Sequence, residues 1–400
     1  MDLQALLRHP GLLRARARVH ETDDVTLREQ VELARIPAPS FAEEARRERV
    51  RQRFQELGLE EVAADAAGNL LARLPGGSPA APPVIFSAHL DTVFAADTDL
   101  TPRVEGERIH VPGITDNARG LAGLLALARV LAEARLRTSR PLLLAATVGE
   151  EGIGDLYGVK HLFREGSPHR GAAAFVSLDG SGVGRVVHRA IGSHRLRAVV
   201  RGPGGHSWAD RGMASPVQAV AAAAAALRRV RPPAASAASL TVARIGGGTS
   251  INSIPAEAWL EVDLRADSPA PLARMAAEVH AALRAAVEEE NRARLRGTPR
   301  LELETEVIGD RPSGETDPRS PLVRAALEIT RALGERAELA ASSTDANVPI
   351  ALGIPAITIG AGGESGGVHT TGEWYENRGG PLGVERALLL AAALAGVEEE

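Results

Sequence analysis

The chain contains no cysteine among its 400 residues. This absence excludes disulfide bonds and thiolate metal ligands, and it is compatible with a reducing compartment such as the cytosol. Any metal ion held by side chains must therefore be bound by histidine imidazoles and carboxylates.

An excess of basic residues and long apolar runs are also missing. The chain carries 46 Lys and Arg against 51 Asp and Glu, which gives a formal net charge of −5. No basic stretch alternates with aromatic residues, so a nucleic-acid partner is not expected. No apolar run approaches the ~20 residues that a membrane-spanning helix needs, and the first residues do not have the pattern of a signal peptide. We expect a soluble, cytoplasmic protein without a membrane partner.

Length and residue pattern indicate an α/β protein of more than one domain. A composition of 44% apolar and 24% charged residues is typical of globular proteins, and a chain of this length exceeds the usual size of one hydrophobic core. Strand-like runs at Val84–Ser87, Leu142–Thr147 and Ala173–Leu178 alternate with helical runs such as Gly120–Ala134. This alternation predicts an α/β/α sandwich around a mixed sheet.

The pattern changes at about Ile191. From there to Val307, strands and helices follow in the order β-α-β-β-α-β, which is typical of the split βαβ unit of ferredoxin-like domains. A helix, a strand and another helix then resume the first pattern. We therefore predict one domain from residues 1–191 and 306–400, with a ferredoxin-like α+β domain, residues 192–305, inserted into it.

A helix start is predicted ahead of the charged segment that ends near Leu57. Ser40 precedes Glu43 by three residues, as in a capping box, where the two side chains satisfy backbone N–H groups of the first turn. This spacing predicts that Ser40 caps the helix.

Candidate functional residues begin with His89 and Asp91, at the end of an apolar run. Side chains two apart on a strand share a face, so Asp91 can accept a hydrogen bond from the ring nitrogen of His89 that does not touch a metal. Taken alone, however, His89 is more often a hydrogen-bonded structural histidine, and this two-residue pattern occurs by chance in many proteins.

Four further acids and a second histidine have a similar placement. Asp116 precedes a helix, where an ordinary N-cap is the simpler role. Glu150 and Glu151 follow an apolar strand, although adjacent surface acids are also common. Asp179 follows a buried strand, and His369 lies in a glycine-rich loop. Two histidines with several carboxylates at strand ends suit a pair of divalent metal ions, and adjacent glutamates allow one to bind metal while the other transfers protons.

Together these motifs resemble the metallopeptidase superfamily that includes acetylornithine deacetylase, succinyl-diaminopimelate desuccinylase, carboxypeptidase G and peptidase T. The resemblance extends over nearly the whole chain. The motifs that carry it are His89–Val93, Thr115–Asn117, Gly149–Gly152, Leu178–Gly180, Gly204–Ser207, Asn252–Pro255 and His369–Thr370.

The resemblance implies a site for two zinc ions, with Co²⁺ or Mn²⁺ as alternatives. In such a site Asp116 bridges the two ions. His89 and Asp179 complete one set of ligands, and Glu151 and His369 complete the other.

The resemblance also implies roles around the metal ligands. Glu150 would act as the general base on the attacking water and then protonate the leaving amine. Asp91 would orient His89, and the peptide bond after Asp116 would be cis. The segment Ser342–Asn347 resembles a late loop near the metals, where structural or substrate-facing roles are expected.

The inserted domain resembles a lid and homodimerisation domain. His206 would reach the active site of a partner subunit and stabilise the tetrahedral oxyanion, although outside the resemblance it reads as a turn residue. Asn252 would contact the substrate or the intermediate. Arg265 is a candidate for binding a substrate carboxylate, but arginines at strand ends are usually solvated.

Two residues depart from the pattern of the family. Gly149 stands where many relatives carry an aspartate, so support for Glu150 must come from elsewhere. Asp179 stands where deacylases and carboxypeptidases typically have glutamate, whereas aspartate is more usual in aminopeptidases and dipeptidases. The second departure favours a peptidase that acts on short peptides.

We therefore predict a zinc-dependent exopeptidase that acts on di- or tripeptides. An N-acyl-amino-acid deacylase or a glutamate-type carboxypeptidase could use the same residues. From other classes, a peptide-binding protein that has lost catalysis and a purely structural dimerisation scaffold are the alternatives. The complete ligand set and Glu150 argue against a lapsed enzyme, and a scaffold leaves the metal-binding residues unexplained.

Overall fold

The computed structural model describes residues 3–233 and 237–398. Within them the chain divides into two compact units, one formed by the residues up to Ala190 together with those from Glu315 onward, and the other by Ile191–Gly314. The helices of the described residues are α1 (Leu3–Leu7), α2 (Pro10–Glu21), α3 (Asp23–Ala34), α4 (Glu44–Glu56), α5 (Ala118–Glu133), α6 (Tyr157–Leu162), α7 (Pro216–Leu227), α8 (Pro269–Ala293), α9 (Pro321–Ala332), α10 (Asn347–Ala351) and α11 (Gly380–Ala395).

The strands include several of only two or three residues, which form small additional sheets. In chain order they are β1 (Glu60–Ala64), β2 (Leu70–Leu74), β3 (Val84–His89), β4 (Arg103–Glu105), β5 (Arg108–His110), β6 (Leu142–Thr147), β7 (Ala174–Leu178), β8 (Arg185–Ala190), β9 (Gly192–Arg201), β10 (Gly205–His206), β11 (Ala238–Gly247), β12 (Ser253–Ile254), β13 (Glu257–Ala266), β14 (Glu302–Arg311), β15 (Gly314–Glu315), β16 (Glu338–Ser342), β17 (Ala356–Ile359), β18 (Glu364–Gly366) and β19 (Trp374–Glu376).

The first unit is built around a nine-stranded mixed sheet. Its order is β1-β2-β6-β3-β7-β17-β8-β15, with β16 also paired to β8. The central strands β6, β3, β7 and β17 are parallel, whereas β2 runs antiparallel to β6 and β8 antiparallel to β17. Since the carboxyl ends of parallel strands meet at one edge of a sheet, the residues that follow β3, β6 and β7 are brought together there.

Helices cover both faces of this sheet, because side chains along its central strands point alternately into two cores. Val84, Phe86 and Ala88 of β3 pack in one core with residues of α2, α3, α5, α9 and α11. Ile85 packs in the other core with Phe175 and with residues of α6 and α10. The α/β/α sandwich predicted from the alternating pattern is confirmed.

The second unit is an antiparallel four-stranded sheet with two helices. The order β11-β13-β9-β14, with α7 after β9 and α8 after β13, is that of a ferredoxin-like domain, as predicted. Alternate residues of β13 are buried and pack against both helices in a separate core.

The expected boundary at residues 305 and 306 lies inside β14, which belongs with its sheet to the second unit. Most residues of this edge strand are exposed, so its sequence carries little of the hydrophobic alternation that marks a buried strand.

The capping box predicted at Ser40 is not formed. Helix α4 begins at Glu44, and its N-cap residue Glu43 makes no side-chain capping hydrogen bond. The Ser40 hydroxyl instead donates to the carboxylate of Asp91, 2.6 Å away. Because α4 begins four residues after Ser40, this hydroxyl acts as a donor to a distant carboxylate and not as the acceptor for helix N–H groups that the spacing predicted.

No helix among the described residues is long and apolar enough to span a membrane.

Candidate metal and catalytic centre

The candidate ligands are positioned by neighbouring elements of the first unit. His89 is the last residue of β3, and Asp179 directly follows β7. Glu151 lies in the loop after β6, and Asp116 precedes α5. His369 comes from the loop between β18 and β19 of a small four-stranded sheet.

The carboxylate of Asp116 lies between the two histidines. Its Oδ1 is 2.9 Å from Nε2 of His89, and its Oδ2 is 2.9 Å from Nε2 of His369. Each histidine faces one further carboxylate: Asp179 Oδ1 is 3.8 Å from His89 Nε2, and Glu151 Oε1 is 2.9 Å from His369 Nε2. The five predicted ligands therefore form two groups that share Asp116.

The charges of the cluster favour bound cations. Burial opposes a charge on His89, but the neighbouring carboxylates of Asp116 and Asp179 raise its pKa well above the ordinary value. Asp116 and then Glu151 raise the pKa of His369 to about 10. Although burial opposes it, the two histidines hold the pKa of Asp116 below its usual range. Protons on both imidazoles thus balance a negative charge that divalent cations could balance in their place.

The donor atoms also fit metal binding. Ligand atoms of His89, Asp116 and Glu151 lie within 4.8 Å of one another. The buried Asp116 Oδ1 has no hydrogen-bond partner among the described residues, although His89 Nε2 is only 2.9 Å away. Two electron-pair donors at this separation without hydrogen-bond geometry are compatible with ligands of one ion. Imidazole and carboxylate donors without thiolate suit Zn²⁺.

Asp91 connects the first histidine with the two adjacent glutamates. Its Oδ1 accepts a hydrogen bond from the Glu150 backbone N–H, and its Oδ2 accepts one from the Glu151 N–H, each at 2.9 Å. Ser40 Oγ donates to the same Oδ2 at 2.6 Å. His89 Nδ1 lies 3.1 Å from the Asp91 carbonyl oxygen and 3.4 Å from Oδ1. The Asp91 carboxylate therefore fixes the backbone of the glutamate loop, while the carbonyl oxygen of the same residue contacts the imidazole.

Asn117 connects the Asp116 turn to the Asp179 strand end. Its Nδ2 donates to the Leu178 carbonyl at 2.9 Å, and its Oδ1 accepts from the Gly120 N–H at 3.0 Å as the N-cap of α5. A Cβ at Gly120 would lie 2.2 Å from that Oδ1, so only glycine allows this close approach. The Asp116–Asn117 peptide bond is cis, as expected.

Glu373 is a buried residue of the centre to which no role was assigned from the sequence. Its carboxylate accepts hydrogen bonds from the N–H groups of Gly113 and Thr115 at 2.8 Å and of Asp116 at 3.1 Å. Burial raises its pKa to about 7. The available signal was its position four residues after His369, as the one acid of the loop between β18 and β19.

Asp345 is a second buried acid near the centre. Thr147, the last residue of β6, donates to its Oδ2 at 2.5 Å. Burial raises the pKa of Asp345 to about 6. It lies in the segment Ser342–Asn347, for which structural or substrate-facing roles were expected, and its contact with β6 is of the structural kind.

His206 and Asn252 belong to the second unit, where the structure brings them together. The short strands β10 and β12 pair His206 with Ser253, and the Ser207 N–H donates to the Asn252 carbonyl at 3.0 Å. His206 Nδ1 accepts from the N–H groups of Trp208 and Ala209, each at 3.2 Å. A neutral imidazole held in this way carries its proton on Nε2, which becomes a hydrogen-bond donor.

Arg265, also in the second unit, lies on β13. It donates to Asp263 at 2.8 Å, and its side chain is 41% exposed. Its role in substrate binding stays a prediction.

The fold and the cluster together are those of a metallopeptidase with an inserted ferredoxin-like domain. Residues 85–393 match the model of the peptidase family M20/M25/M40, and the chain belongs to this family. It is therefore a hydrolase of peptide or related amide bonds.

Solved structures with the same fold cover almost the whole chain. Aminopeptidase PepT from Bacillus cereus is 23% identical with a TM-score of 0.74, over 92% of this chain and 98% of that one. The dipeptidase Dug1p from Saccharomyces cerevisiae is 16% identical with a TM-score of 0.74, over 97% and 99%. An amidase of the hydantoinase/carbamoylase family from Burkholderia ambifaria is 20% identical with a TM-score of 0.62, over 94% and 98%.

One curated relative matches over a short stretch. A peptidase T-like protein of Yersinia pestis is 36% identical over 62 residues, which are 16% of this chain and 14% of that protein.

Proposed function

We propose that the protein is a di-zinc exopeptidase that releases amino acids from di- and tripeptides. The observation that carries this proposal is the Asp116 carboxylate, whose two oxygens each lie 2.9 Å from a different histidine. Asp179 and the names of similar proteins, an aminopeptidase and a dipeptidase, favour short peptides as substrates.

The distances within the cluster support two ligand sets. His89, Asp116 and Asp179 would hold one ion, and His369, Asp116 and Glu151 would hold the other. Zinc in such a site supplies a Lewis acid that polarises the scissile carbonyl and lowers the pKa of water.

Glu150 is the residue that we propose transfers protons. It is 4% exposed, follows β6, and its backbone N–H is fixed by Asp91. It would accept a proton from the attacking water and deliver it to the leaving amine, a role typically worth about 10²–10⁴-fold in rate. Glu151, its neighbour, is held by His369 and is assigned to metal binding.

His206 would supply the oxyanion donor in a homodimer. The tautomer set by the turn Gly205–Asp210 leaves Nε2 as a donor, which is the form that stabilising a developing negative charge requires. The support for this role is that tautomer together with the resemblance of the inserted domain to a dimerisation lid. Asn252 directly precedes β12, the strand paired with the one that carries His206, and it is proposed to contact the substrate.

The test is a substrate panel with zinc, cobalt or manganese supplied. Free di- and tripeptides are compared with their N-acetylated and other N-acyl-amino-acid counterparts, and amino-acid release is measured. Cleavage of the free peptides alone is expected. Cleavage of the N-acyl compounds alone would make the protein a deacylase and refute the inference from Asp179. Binding of peptides without release of amino acids would indicate a lapsed enzyme.

A further inference from the structure

The segment Ser40–Arg46 contacts the loops that carry His89 and Glu150. Besides its bond to Asp91, Ser40 Oγ lies 3.2 Å from the Glu151 carbonyl oxygen. Arg46, 1% exposed, donates to the Leu90 carbonyl at 2.9 Å, between His89 and Asp91. The start of α4 is therefore tied to both of these loops.

Glu43 binds the residue that precedes Glu150. Its Oε1 accepts hydrogen bonds from the Gly149 N–H at 2.9 Å and from the Phe41 N–H at 3.0 Å. Gly149 has a φ of +60°, and a Cβ there would lie 3.2 Å from the Tyr157 Cβ. Position 149 therefore favours glycine, and the carboxylate that holds its backbone N–H comes from another segment, at Glu43.

Three successive backbone N–H groups are therefore held by two carboxylates. Gly149 donates to Glu43, and Glu150 and Glu151 donate to the two oxygens of Asp91. Hydrogen bonds to charged acceptors are about twice as strong as neutral ones. Since Glu43 is 3% and Asp91 0% exposed, solvent does not compete for them.

We propose that Ser40 and Glu43 are positioning residues for Glu150. Glu43 holds the loop at Gly149, and Ser40 holds the Asp91 carboxylate that in turn binds the N–H groups of Glu150 and Glu151. The consequence of this proposal for turnover rests on the proposed function, in which Glu150 transfers protons.

Glu43→Ala and Glu43→Gln form a matched pair for the test. Both backbone bonds end on the same oxygen, Oε1, so the single carbonyl oxygen of glutamine can replace it. We expect Glu43→Ala to lower kcat by about 10–100-fold, with KM and zinc content close to those of the wild type. Glu43→Gln should restore kcat to nearly the wild-type value. Equal losses in both variants would show that charge, not positioning, matters, and would overturn the proposal.

Ser40 is tested by Ser40→Ala and Ser40→Thr, with Ser167→Ala as the control. Ser167 is also a hydroxyl in the first unit that donates to a backbone oxygen, Leu162 O at 2.6 Å, but it lies in another loop. We expect Ser40→Ala to lower kcat, Ser40→Thr to retain it, and Ser167→Ala to leave it unchanged. A Ser40→Ala variant with wild-type kcat would contradict the role of Ser40.

Hydrogen exchange separates this proposal from the proposed function. The amide protons of residues 149–151 should exchange at least several-fold faster in Glu43→Ala than in the wild type, whereas Glu43→Gln should protect them. This readout does not depend on activity. If the wild type hydrolysed no compound of the panel, the proposed function would fail while the exchange result still decided the positioning. Unchanged exchange in a folded Glu43→Ala protein would overturn it.

Discussion

Replacing Asp91 by asparagine should lower both the free energy of unfolding and the affinity for zinc, although the two side chains have nearly the same shape. Both oxygens of Asp91 act as acceptors: Oδ1 binds the Glu150 N–H, and Oδ2 binds the Glu151 N–H and Ser40 Oγ. Asparagine has one acceptor oxygen. Whichever way the amide is placed, its NH₂ group must face one of the two backbone N–H donors.

The expected loss of stability follows from the burial of these groups. The Asp91 side chain is 0% exposed, so water does not replace the lost acceptor. The variant loses one hydrogen bond to a charged acceptor and leaves its buried donor without a partner. We expect this to lower the free energy of unfolding by about 3 kcal/mol. Because Asp91 also contacts His89 Nδ1, we expect zinc affinity to fall about 10–100-fold.

Urea unfolding of the metal-free protein and competition titration with a zinc chelator measure the two effects. Asp65→Asn is the matched control. Asp65 Oδ2 accepts from the side-chain amide of Asn69 at 2.8 Å, a bond that the variant would lose, but Oδ1 alone accepts from the three backbone N–H groups of Ala67, Gly68 and Asn69. An asparagine can keep those three bonds, so the control should lose less stability and keep its zinc affinity. An Asp91→Asn protein as stable and as tightly zinc-bound as the wild type would refute the reasoning.

Two further predictions concern pH and metal removal. Burial raises the pKa of Asp345 from 3.8 to about 6, so the folded state binds this proton more tightly than the unfolded state. The stability that the proton confers on the metal-free protein is present below pH 3.8 and is lost as the pH rises through about 6, by at most about 3 kcal/mol. Urea unfolding across this range should show a smaller fall in Asp345→Asn; equal slopes would contradict the assignment. Removing metal with a chelator should lower the melting temperature and adding zinc should restore it, because ions bind the folded site; a melting temperature insensitive to both treatments would argue against a metal site.

The sequence pointed to the histidines and carboxylates of the cluster more readily than to the residues that hold them in place. His89 and Asp179 could be placed at one edge of the sheet because each ends or follows a buried strand, although His89 alone suggested a structural histidine. Asp116 and His369 could be assigned only through the combined motifs, since each alone has a simpler role. The structure places all of these side chains in the cluster described above.

The residues that hold the cluster in place were missed because their hydrogen-bond partners are distant in sequence. Glu373 accepts from the N–H of Thr115, which lies 258 residues away, and no local pattern marks such a bond. For Ser40, a local pattern predicted the wrong partner, because the helix begins only at Glu44 and the hydroxyl donates to the distant carboxylate of Asp91. The domain boundary at 306 fell inside β14 because an exposed edge strand lacks a hydrophobic pattern.

The most direct test of the central claim is the turnover of Glu150→Gln, loaded with zinc, on whichever compound of the panel the wild type cleaves. Glutamine keeps the shape of the side chain and cannot accept the proton of water. The account predicts that kcat falls by at least about 100-fold while the zinc content per chain equals that of the wild type. Turnover at the wild-type rate in this variant, with zinc bound, would contradict the assignment of Glu150 and with it the proposed mechanism.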